Sequence, residues 1–138
     1  MVDEEVISLR LQNLEKVLRE LDQIAAEGKE AFLGSWKNMR LAERCLEVAA
    51  QTCLDIGNHL IAAKGFRAPK GYADVFQVLA ESVMLDSDLA AKMKSVAGLR
   101  NILVHDYLEI DHGQLHKMIQ DTGVFRKFAN SVKKEVWD

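Results

Sequence analysis

The chain has 138 residues, 49% of them apolar and 28% charged, with a net charge of −3 at neutral pH. That length and balance fit one globular domain spanning residues 1–138 and exclude a disordered or fibrous chain. The small negative charge excludes a general nucleic-acid coat, which needs many cationic phosphate contacts, yet permits a small basic cleft or a basic partner protein.

One proline and eight glycines favour helices over a turn-rich β architecture. The first predicted helix runs from about Asp3 to Ala26. Ile7, Leu11, Leu14, Leu18, Leu21 and Ala25 alternate spacings of four and three, the seam of a helical bundle. Asp3, Glu4 and Glu5 suit the positive end of its dipole. Gly28 and Gly34 bracket a short break, across which Glu30 to Leu33 can continue the helix.

The second helix is expected from about Ser35 to Ala63, with Ser35 as cap and Trp36 anchoring its first turn. Ala42, Cys45, Leu46, Ala49, Cys53, Ile56 and Leu60 trace one apolar face, while Leu41, Val48, Leu54 and Ile61 make other faces apolar too. A helix of that kind sits in the middle of a bundle. Its polar residues, among them Gln51, Asp55, Asn58 and His59, form a narrow strip in which Asp55 and His59 stand four apart and can hydrogen-bond. Cys45 and Cys53, eight apart, lie about 12 Å from each other along the axis, too far for a disulfide. Both read as small buried hydrophobes of a reducing compartment.

A loop from Lys64 to Gly71, punctuated by Gly65 and Pro69, precedes a short third helix over Tyr72 to Glu81 with Tyr72, Val75, Phe76 and Leu79 inward. Asp86 or Ser87 caps a fourth helix whose inner face is Leu89, Met93, Val96, Leu99 and Leu103. Asp111 with Gln114 makes a capping-box-like start to a fifth, which runs through Leu115, Ile119, Phe125 and Val132 with Gly123 as a kink. The fold class is therefore all-α, an up-and-down bundle of about five helices. No apolar run reaches transmembrane length, and the N-terminus is acidic where a signal peptide is basic, so a cytoplasmic protein without membrane contact is expected.

Chemistry concentrates at the end of the fourth helix. Arg100, Asn101, His105, Asp106 and Tyr107 crowd eight positions around the apolar Ile102, Leu103 and Val104. Burying Arg and His without partners is costly, so these polar groups need a common purpose. Arg100 and His105 are five apart, about 140° of rotation on a continuous helix, and would not face one way. Either the helix ends or bends near Val104–His105, or a second copy of the chain completes the site. On spacing alone, the cluster reads first as a buried polar network that pins the bundle, since such structural networks are common.

Arg100, four residues, His105, one residue, Tyr107 resembles the R-x4-H-x-Y motif of HepT-like HEPN proteins, the toxin halves of bacterial toxin–antitoxin pairs whose partner is a minimal nucleotidyltransferase. The resemblance spans roughly Arg40 to Phe128. It implies a homodimer with both Arg–His motifs lining one cleft, and metal-independent RNA cleavage with no cofactor. In that setting His105 serves as general base on the ribose 2′-OH or general acid to the leaving 5′-oxygen. Arg100 clamps the scissile phosphate, and Asn101 orients either by hydrogen bonding. The expected product is a 2′,3′-cyclic phosphate. Tyr107 is implied as the residue that accepts AMP from the nucleotidyltransferase antitoxin, whose bulk and charge would block the cleft. Asp55 and His59 are candidates to line that cleft from the second helix.

His112 and His116 form an H-x3-H pair, but Gly113 stands where a zinc protease has Glu and no third ligand is evident, so two solvent-facing histidines are expected and no metal. A reading from a different class stays open. The chain is then a non-catalytic helical module that docks onto a nucleotidyltransferase and supplies nucleotide or substrate contacts. The acidic charge fits that reading, and the intact Arg100–His105 pair fits the enzyme.

Overall fold

The alternating seam of Ile7, Leu11, Leu14, Leu18 and Leu21 is buried along one side of α1 (Glu4–Ala26), whose first turn is closed by the Asp3 carboxylate accepting the Val6 N–H at 3.2 Å. The computed structural model describes residues 1–105 and 110–138. Among them seven helices and no strand form: α1, α2 (Lys29–Leu33), α3 (Trp36–Lys64), α4 (Tyr72–Glu81), α5 (Ser87–Val104), α6 (His112–Gln120) and α7 (Gly123–Trp137). The expected all-α bundle is what forms, with two more helices than the periodicity suggested.

The first extra element is α2, which stands apart because Gly28 turns the chain at φ +94°, a conformation that costs other residues. The second arises because the C-terminal segment breaks rather than kinks. Asp121 leaves helical geometry, and the buried Thr122 hydroxyl donates to Asp22 of α1 at 2.9 Å and accepts from Arg126 at 2.8 Å. Arg126 also reaches Asp22 at 2.8 Å and so ties α7 to α1.

Helix α3 touches each of the other six helices among the described residues. Its composition explains this, since Ala42, Cys45, Leu46, Ala49, Ala50, Cys53, Leu54, Ile56, Leu60 and Ile61 are all buried. Each Leu or Ile so buried contributes roughly 1.5–3 kcal/mol relative to exposure. Ser35 caps α3 by accepting the Asn38 N–H at 3.2 Å, but Trp36 beside it is 68% exposed instead of anchoring the first turn in the core. Helix α4 lies so close to α3 that a Cβ on Gly57 would fall 2.6 Å from Val75 Cγ1. Asp86 caps α5 by accepting the Leu89 N–H at 2.7 Å, and Asp111 caps α6 by accepting that of Gln114 at 3.1 Å. No described helix is long and apolar enough to cross a membrane.

Candidate functional site

Helix α5 ends at Val104. His105 is its C-cap, at φ −88° and ψ 67°, and is exposed at the helix end. The helix therefore stops where Arg100 and His105 need it to stop if they are to serve one ligand. Ile102 and Val104, flanking Leu103 in the same turn, are 49% and 40% exposed, whereas Leu103 is buried. Tyr107 lies outside the described residues.

Arg100 is half-buried, and its guanidinium is held from three sides. Nε donates to Gln51 Oε1 at 2.9 Å, Nη1 donates to Asn101 Oδ1 at 3.3 Å, and the guanidinium carbon stands 4.7 Å from the centroid of the Tyr72 ring. Gln51 is oriented in turn by Asp55, whose Oδ1 accepts from Gln51 Nε2 at 2.9 Å. The arrangement has one sense only. A carboxylate accepts and a guanidinium donates, so the amide of Gln51 must turn its NH2 to Asp55 and its oxygen to Arg100. Asp55 Oδ2 takes a further bond from Arg10 Nη1 of α1 at 3.3 Å.

The structure thus brings Arg100, Asn101 and, through Gln51, Asp55 into one polar chain. His59 goes elsewhere: its Nε2 accepts the backbone N–H of Asp3 at 3.0 Å, and Asp55 bonds Gln51 and Arg10 in place of it. Gln51 was visible only as one member of a polar strip, although its i, i+4 spacing to Asp55 was a signal. Tyr72 carried no signal beyond position. Read as inward, it is 41% exposed and spreads its ring under Arg100.

The loop that delivers Tyr72 is fixed by a fork of bonds. Arg67 binds Asp74 at 2.8 and 2.9 Å and Glu81 at 2.8 Å, and the Lys70 N–H donates to Asp74 at 2.8 Å. These bonds hold the Asp74 and Glu81 carboxyls below their usual range. Asn58, Lys70 and Tyr72 also line an open hollow of about 300 Å³ beside that ring.

His116 is buried against the Phe32 ring at 5.3 Å between centroids, not turned to solvent; His112 is exposed, 3.8 Å from Glu43. Cys45 and Cys53 are buried free thiols. Burial, with a hydrogen bond to Glu20 and the charge of that carboxylate, pushes Cys45 up to about 12, and burial alone raises Cys53.

The family model described as ribonuclease HepT-like matches residues 14–132. An mRNA nuclease HepT of Shewanella oneidensis is 26% identical over 135 residues, 95% of this chain and 98% of that protein. A tRNA nuclease HepT of Aphanizomenon flos-aquae is 28% identical over 116 residues, 83% of this chain and 78% of that one. A solved structure of a tri-AMPylated Shewanella oneidensis HEPN toxin in complex with MNT antitoxin shares the fold at a TM-score of 0.88 and 23% identity, over 96% of this chain and 99% of that one.

Proposed function

The chain belongs to the ribonuclease HepT-like family, and from that premise we propose that it is a toxin endoribonuclease in which Arg100 and His105 cleave RNA without a metal. The observation that carries this reading is the end of α5, where the helix stops at Val104 and leaves His105 at its cap, with the Arg100 guanidinium already held one turn earlier. Nuclease names among the relatives support the class of activity.

In the reaction the ribose 2′-oxygen bonds to phosphorus as the bond to the 5′-oxygen breaks. One imidazole removes the 2′-OH proton and a second protonates the departing 5′-oxygen, so two copies of the motif are needed. A homodimer meeting at the α5 ends supplies both, because an isologous interface brings each motif to its mate. Exposed Ile102 and Val104 give that meeting an apolar component. Arg100 stabilises the added negative charge on the phosphate, and Asn101 steadies the guanidinium. The product is a 2′,3′-cyclic phosphate. The antitoxin is a minimal nucleotidyltransferase that transfers AMP to Tyr107, two residues beyond His105, which blocks the cleft and repels RNA. The relative found tri-AMPylated with MNT antitoxin supports that partner. The pair acts in the cytoplasm, where the buried thiols stay reduced.

The deciding experiment incubates the purified protein with a mixed RNA pool in EDTA beside His105→Ala, after mass measurement to find any AMP already on it. Cleavage by the unmodified parent alone, with cyclic-phosphate ends, is the expected result. An unmodified parent that leaves RNA intact overturns the nuclease reading in favour of a module that docks onto a nucleotidyltransferase.

A further inference from the structure

Arginine is a poor catalytic group when its long side chain wanders, and in this fold Arg100 does not wander. Its Nε edge is taken by Gln51 and one face by the Tyr72 ring. These two contacts come from different helices, α3 and α4, and meet on a residue of a third. Together they restrain it: Gln51 holds Nε, and the Tyr72 ring stands 4.7 Å from the guanidinium carbon. Nη1 gives one hydrogen to Asn101, and Nη2 has no protein acceptor among the described residues, which leaves guanidinium donors for a phosphate.

We propose that Gln51 and Tyr72 are positioning residues that set the Arg100 guanidinium for the scissile phosphate, an inference that rests on Arg100 acting in RNA cleavage as proposed above. Each is itself anchored. Asp55 holds the Gln51 amide and Arg10 holds Asp55. The close approach of α4 to α3 at Gly57 and the fork of Arg67 on Asp74 and Glu81 hold Tyr72 in place. Anchoring of this depth is what a transition-state clamp needs, because a guanidinium ordered before the substrate arrives loses no freedom during the reaction. A network that only pins the bundle has no need to leave Nη2 of its arginine without a protein acceptor among the described residues.

The test uses single-turnover cleavage of a 5′-labelled tRNA pool with protein in excess, for the parent, Tyr72→Phe, Tyr72→Leu, Gln51→Leu and Arg100→Ala, with thermal melting of each. Tyr72→Phe keeps the ring and should cleave within about twofold of the parent. Tyr72→Leu and Gln51→Leu should lose about tenfold or more in the rate at saturating protein. The protein concentration at half-maximal rate should shift no more than about twofold, since the charge of Arg100 remains. Melting should not follow the rate. If Tyr72→Leu and Gln51→Leu cleave like the parent while Arg100→Ala is inactive, the positioning inference falls and the role of Arg100 stands. If Tyr72→Phe falls as far as Tyr72→Leu, the stack is not what acts and the inference falls again. An Arg100→Ala protein as active as the parent removes the catalytic reading itself.

Discussion

The imidazole Nε2 of His59 accepts the backbone N–H of Asp3 at 3.0 Å, joining the start of α1 to α3 fifty-six positions later. Asp3 is also the cap of α1, so this bond holds the capping residue where its carboxylate can work. His59→Ala should lose about 1 kcal/mol, the net value of such a bond. The melting temperature should fall by roughly 3 °C, with RNA cleavage kept. Loss of cleavage at unchanged melting would instead place His59 in the cleft.

Gly57 admits α4 against α3 because it has no Cβ. Gly57→Ala forces Val75 to shift and should destabilise by about 1–3 kcal/mol. Because α4 begins at Tyr72, the same variant should also slow cleavage. Urea unfolding checks the first effect and single-turnover kinetics the second. Adding Val75→Ala should restore part of both, a non-additivity expected of neighbours in contact.

Val83 occupies the left-handed region at φ +63° with its side chain 90% exposed. It closes α4 in a motif whose bonds run from the Val83 N–H to Ala80 and from the Met84 N–H to Leu79. Glycine ordinarily fills that position, and a β-branched residue there costs about 1–2 kcal/mol. Val83→Gly should therefore raise the urea midpoint, offset in part by the freedom glycine adds to the unfolded chain. An unchanged or lower midpoint would show that Val83 is not strained.

Cys45 and Cys53 should be inert to a thiol reagent in the folded protein. With Cys45 pushed up to about 12, few thiolates exist at neutral pH, on the order of one in ten thousand near pH 8. The sign follows from linkage. A thiol raised in the folded state favours folding while it stays protonated, and that contribution is lost as pH rises above its ordinary value near 9.0. Both thiols should react at once in denaturant; rapid reaction of either in the native protein would contradict the burial.

The Arg67 fork sets an acid limit. Asp74 and Glu81 are held below their ordinary values, so their pairing favours folding above those values and the contribution disappears as pH falls. Arg67→Met should therefore flatten the decline in melting temperature between about pH 4.5 and pH 2. A decline as steep as the parent's would show that the fork does not govern acid stability.

Most helix boundaries were legible because the signals that set them are local. Ser35 and Asp111 announced their caps, Asp86 was one of two candidates for its own, and the Tyr72–Glu81 helix lay where its apolar spacing put it; Asp3, read as a first-turn charge, turned out to be the cap itself. Where local reasoning failed, a distant partner decided. Thr122 breaks the C-terminal helix through Asp22, a hundred positions away, and His116 is drawn inward against Phe32.

The sequence by itself determined the helical class, the caps and the motif at the end of α5, because periodicity and capping act within a few residues. Only the tertiary structure decided what Arg100 meets. Gln51 is forty-nine positions away on another helix and Tyr72 stands at the start of a third, and nothing in a spacing pattern says which polar residues of separate helices will face each other. That choice follows from how closely the helices pack, and the packing depends on small details such as the missing Cβ of Gly57.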